Sequence, residues 1–222
     1  VTSTSATANS VAVGQVSSGT LVINGSLFSN SLSVGVGAGI GGTVTFSGAT
    51  LQNQGLLSVG GNGVGTLSLL HGSATSTGTV YIGEGATGNG SLTLDNSSTL
   101  VTAGTIFVGY GASAAPSGGG GRGDLKILAG STVDSGRAVL GEGTGTEGDA
   151  LISGAGSRWT VAAGTVIGNA GVSTLTVTGG GKLLSETTTV IANLSSASGS
   201  QVTLSRLGSA LETGQLVVGN EG

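Results

Sequence analysis

The chain has 222 residues, 47 of them glycine, with one proline, no cysteine and no methionine. Glycine without a three-residue period and almost without proline excludes collagen, and the recurrence of Leu, Ile and Val in a chain with only 7% charged residues excludes disorder. The net charge is −4 and the six basic residues never cluster, so nothing here fits nucleic acid or anionic lipid, and no run approaches the roughly 20 apolar residues of a membrane-spanning helix.

Residues 1–10 are rich in Ser, Thr and Ala and read as a ragged partial coil. They open on Val1-Thr2-Ser3, without the charged and apolar regions of a signal peptide. A trio of short units then recurs. Its clearest copy is Gly42-Thr43-Val44-Thr45-Phe46, then Gly48-Ala49-Thr50-Leu51, then Leu57-Ser58-Val59-Gly60. The Gly-Thr-Leu unit opens at Gly19, Gly42, Gly65, Gly90, Gly123 and Gly148, with weaker copies near Val172 and Gly199. The apolar-Gly landmark falls at Gly14, Gly35, Gly60, Gly83, Gly109, Gly141 and Gly168, then at Ala192 and Gly219. Landmark intervals run from 21 to 32 residues, so insertions of variable length separate units of constant length. That is the signature of a solenoid with variable loops.

Within a unit the period is two. Leu21 and Ile23, Val44 and Phe46, Leu67 and Leu69, Leu92 and Leu94, and Leu125 and Ile127 alternate with polar residues. Each unit is therefore a short strand with one buried face. Three such strands per turn, stacked on their copies, give an all-β right-handed parallel β-helix. It has about eight coils of roughly 25 residues, and the hand follows that of common crossover connections. At about 4.8 Å per coil the rod is about 40 Å long. The whole of 1–222 reads as one repeat array with an irregular glycine-rich loop at 110–124. It ends inside a unit at Val218-Gly219-Asn220-Glu221-Gly222 without a capping turn, as expected of a piece of a longer array.

Gly154-Ala155-Gly156-Ser157-Arg158-Trp159-Thr160-Val161 resembles the Gly-x-Gly-Ser-x-Trp unit of bacterial autotransporter passenger repeats. The family's next two features follow in order, Val166-Ile167-Gly168 and Ser173-Thr174-Leu175-Thr176-Val177. Degenerate versions stand at Gly48–Leu51, Gly130–Val133 and Gly208–Leu211, so the resemblance covers nearly the whole chain. It implies a secreted bacterial β-helix, displayed at the cell surface through an outer-membrane barrel. It also implies an adhesive or self-associating role, with a host-cell surface or matrix protein, or a like molecule, as partner.

Two candidate binding features stand out. Arg122-Gly123-Asp124 is an integrin-type tripeptide that follows Pro116-Ser117 and four glycines, in the longest landmark interval. Yet Gly123-Asp124-Leu125-Lys126-Ile127 is also the ordinary repeat strand. The second feature is the residue between the two inward positions of the third strand. Down the stack it is Ser33, Ser58, Tyr81, Phe107, Val139, Val166, Val190 and Val217. The last six are apolar and would form an outward stripe about 25 Å long, either a contact surface or a consequence of β-propensity.

Other chemistry finds less support. The glycine loop lacks the Gly and the tandem copies of a calcium-binding nonapeptide, since Arg122 stands where Gly is needed. An outward ladder of Thr20, Thr43, Thr66, Ser91, Asp124 and Thr174 is too interrupted to match ice. The acids Asp124, Asp134, Glu142, Glu147 and Asp149 are spread over loops about one coil apart, although a pair could meet across neighbouring coils. His71 is the single histidine, which excludes a site needing two, and reads as a turn residue. Trp159 takes the slot of Leu51 and Val133 and reads as core. No cofactor or metal is expected. The sequence supports a non-catalytic adhesin or self-association rod. The alternatives are a structural spacer and a carbohydrate-active β-helix enzyme.

Overall fold

The computed structural model describes residues 4–111 and 120–221. It is a parallel β-solenoid. One sheet has eight strands, one for each coil, built from the Gly-Thr-Leu units. Thr20, Thr43, Thr66, Ser91, Asp124, Asp149, Thr174 and Gln201 stand in register across it. The second and third strands of each coil belong to a single twelve-stranded sheet. The expected three separate strands are thus merged in several coils, as in Ser26–Val34, Thr99–Tyr110, Thr132–Leu140 and Lys182–Ile191. Between Thr99–Tyr110 and Thr132–Leu140 the register shifts from Thr102 to Thr105, where the merged strand turns the corner.

Inward polar side chains mark that corner. Ser29, Asn53, Ser76, Thr102 and Ser135 follow one another in register and all are buried. Their hydrogen bonds satisfy one another and the bend. Ser29 Oγ donates to Asn53 Oδ1 (3.1 Å), Asn53 Nδ2 to Ser76 Oγ (3.3 Å), and Thr102 Oγ1 to the Gly78 carbonyl (2.8 Å). A buried polar group left unpaired costs about 1–3 kcal/mol, and each member of the row has a partner in the row, the backbone or Trp159.

The rest of the interior is mainly one apolar column, with further buried hydroxyls such as Ser98, Ser131 and Ser157 bonded to backbone amides. Each Gly-Thr-Leu strand buries alternate residues, as Leu67 and Leu69 or Leu125 and Ile127 show. Trp159 is fully buried in the slot of Leu51 and Val133, and its Nε1 donates to Ser135 Oγ at 3.0 Å. His71 is exposed on a turn with φ of 53°.

The landmark has a backbone cause. All its glycines have positive φ, and Ala192 in the same slot has φ of 55°. At Gly60 (φ 75°) a Cβ would also lie 2.4 Å from the Asn89 carbonyl carbon and oxygen, so the neighbouring strand passes where a side chain would be. The third strand thereby leaves each coil in a fixed direction, which keeps its side chains in line.

The N-terminal expectation needs correction. Ser5–Val13 is a regular strand paired with Ser26–Val34 from Ser5 to Val13, so residues 5–10 are not ragged.

Candidate binding face

The outward row of the third strand exists as read from the sequence. Ser33, Ser58, Tyr81, Phe107, Val139, Val166, Val190 and Val217 are successive register partners. The row is not one open stripe, however. Val139 is 1% exposed and Val166 8%, while Tyr81, Phe107, Val190 and Val217 are half-buried. Val139 is hemmed along the row by Phe107 and Val166, and its own strand carries Arg137 two residues earlier.

A second row runs beside the first, formed by the residue after each landmark. Asn220 Nδ2 donates to Asn193 Oδ1 (3.0 Å), Asn193 Nδ2 to Asn169 Oδ1 (2.7 Å), and Asn169 Nδ2 to Glu142 Oε2 (3.2 Å). Burial raises the pKa of Glu142, and the Arg137 charge and the Asn169 hydrogen bond oppose the rise. One and two coils earlier the same row carries Tyr110 and Glu84, which are register partners.

Tyr110 changes the character of the face. The Tyr81 and Phe107 rings stack with centroids 5.3 Å apart and planes 8° from parallel. The Tyr110 ring meets both edge-on, at 4.8 and 5.0 Å. Both tyrosines and one of the three phenylalanines of the chain therefore gather at one place on the outer surface. Burial raises the Tyr81 pKa first, and the nearby Tyr110 and Glu84 add to it. The sequence reading missed Tyr110 because it followed one outward residue per strand. The signal was present, since Tyr110 directly follows the landmark Gly109.

On the N-terminal side of this cluster lies a groove of about 270 Å³, lined by Ser33, Val36, Leu56, Ser58, Asn62 and Glu84. Ser58 is buried at its floor and donates from Oγ to Glu84 Oε2 at 2.9 Å.

Arg122-Gly123-Asp124 lies elsewhere, and not on a loop. Arg122 opens the strand Arg122–Leu128, and buried Gly123 is held between Gly90 and Gly148. The alternation of Gly123-Asp124-Leu125-Lys126-Ile127 makes it the repeat strand, which overrides the glycines before it. Residues 112–119 of the expected 110–124 loop lie outside the described residues, and Tyr110 ends a strand. The Arg122 guanidinium contacts Glu147 (2.7 Å) and Asp149 (3.6 Å), and Lys126 Nζ contacts Asp124 (2.5 Å). Asp124 and Asp149 are register partners, so two acids do meet across coils, each with a cation beside it. Asp134 faces Arg158 at 3.9 Å. Among the described residues no group of three or more His, Cys, Asp or Glu could hold a metal ion.

No protein-family model, no curated protein and no solved structure matches the chain.

Proposed function

We propose that this chain is a non-catalytic binding rod, of the kind carried by bacterial surface adhesins. Its outer third-strand face meets a host-cell surface or matrix protein, or a like molecule. The observation that carries this reading is the Tyr81–Phe107–Tyr110 cluster on the outer surface of a stacked solenoid. Half-buried tyrosines clustered on an outer face are residues that protein contact sites favour. The solenoid presents the cluster on a stacked support, because each coil packs on its neighbours. The resemblance to autotransporter passenger repeats supports a bacterial cell-surface or extracellular location.

The test is attachment of beads coated with the chain to cultured animal cells, with clumping of the same beads scored in parallel. The wild type is compared with a variant carrying Tyr81→Ser, Phe107→Ser and Tyr110→Ser, after circular dichroism has shown the fold intact. Attachment or clumping that the variant loses supports the reading. Wild-type beads that neither attach nor clump overturn it and leave a structural spacer.

A further inference from the structure

We infer that the groove lined by Ser33, Ser58, Asn62 and Glu84, beside the Tyr81 ring, binds one neutral pyranose unit of a glycan. This rests on the binding-rod reading and names the ligand class for one part of the same face.

The size comes first. Pockets for drug-sized ligands start at about 300 Å³, and this groove is about 270 Å³, room for one ring of a longer chain.

The lining has the two kinds of group a sugar ring needs. Hydroxyls need acceptors and donors, which Glu84, Ser33, Ser58 and Asn62 supply. Glu84 is the central one. Ser58 fixes its Oε2, and among the described residues no basic side chain lies within ion-pair distance and Oε1 has no hydrogen-bond partner. This sets Glu84 apart from Asp124, Asp149 and Glu147, which all have cations beside them. A half-buried carboxylate with a free oxygen favours a ligand made of hydroxyl donors and repels one carrying its own negative charge.

The C–H faces of the ring need apolar surface. Val36 and Leu56 provide it, and Leu56 is 39% exposed in a chain whose core leucines are fully buried. Tyr81 is the register partner of Ser58 in the next coil and is not itself one of the groove's lining residues.

The test is a titration of the whole chain, followed by backbone amide chemical shifts. The probes are the methyl glycosides of glucose, galactose, mannose and N-acetylglucosamine, with methyl glucuronide as the charged control. At least one neutral glycoside should shift Ser58, Asn62, Glu84 and Gly85 in a saturable way, and the glucuronide should not. Glu84→Gln and Leu56→Ser should each weaken that binding by about tenfold or more, and Thr176→Ser, on the other sheet, should leave it unchanged. The inference is overturned if no neutral glycoside shifts these amides at millimolar concentration. It is equally overturned if the glucuronide binds as well, or if Glu84→Gln binds like the wild type. Bead attachment that no glycoside inhibits would sink the glycan site alone. Glycoside binding by a chain whose beads never attach would sink the adhesive reading alone.

Discussion

Tyr81 and Phe107 stack 5.3 Å apart because they hold the same register position in successive coils. One coil step in a parallel sheet is about 4.8 Å, close to the spacing two stacked rings prefer. The solenoid thus turns a sequence periodicity into an aromatic pair. Phe107→Ala should lower the unfolding free energy by about 1–2 kcal/mol, read from urea denaturation. It should also bring the Tyr81 phenol down toward its ordinary titration range, read by ultraviolet absorbance. The raised folded pKa fixes the sign of the wild-type pH dependence. The contribution of Tyr81 is fully present below the unfolded phenol value near 10 and is lost as pH rises through the folded value.

Glu142 heads the asparagine row with a pKa raised chiefly by burial. Its contribution is therefore fully present below the ordinary carboxylate value and is lost as pH rises through the raised one. Glu142→Gln keeps an acceptor for Asn169 and removes the charge. It should stabilise the chain at neutral pH, by under about 1 kcal/mol given solvent screening, and show no gain at pH 3. Urea midpoints at the two pH values check this. A gain of equal size at both would contradict it.

The landmark slot predicts opposite outcomes for opposite substitutions. Gly60→Ala adds a Cβ against the Asn89 backbone at positive φ and should cost about 3 kcal/mol or more. Ala192→Gly relieves a φ of 55° and should gain about 1 kcal/mol. Thermal melts of the two variants against wild type are sufficient.

Arg122-Gly123-Asp124 is a strand segment whose charges face Glu147, Asp149 and Lys126. A tripeptide held extended, with its glycine buried between two strands, does not offer the projecting turn of a loop-borne recognition motif. Asp124→Ala should leave bead attachment unchanged within error, and a soluble peptide of the same three residues should not compete.

The fold was legible because its causes are local and repeated. Alternation at Leu67 and Leu69 and positive φ at Gly60 are properties of single strands and turns, and each coil repeats them. The outward row was legible for the same reason, since its register follows from the landmark. What could not be read depends on relations between rows. Tyr110 joins Tyr81 and Phe107 only through the neighbouring row, and the same row places Glu84 over Ser58. The burial of Val139 comes from the size of its partners along the stack, which no single strand encodes. Of the two readings of Arg122-Gly123-Asp124, the repeat strand is the one the structure follows, because the alternation from Gly123 to Ile127 is a stronger signal than the glycines before it. The corner row from Ser29 to Ser135 is made of residue types that, read singly, look like loop, and each is satisfied by a different local partner.

Every functional claim depends on the third-strand residues standing in one row, one coil apart. The absence of cysteine makes this directly measurable. Val190→Cys with Val217→Cys places two thiols on register partners, about 4.8 Å apart along the stack. Val166→Cys with Val217→Cys places them two coils apart, at about 10 Å. A bifunctional thiol reagent that spans one coil step and not two should bridge the first pair rapidly within a single chain and leave the second unbridged. Equal bridging of both pairs, or of neither in a folded chain, would contradict the register and with it the binding face.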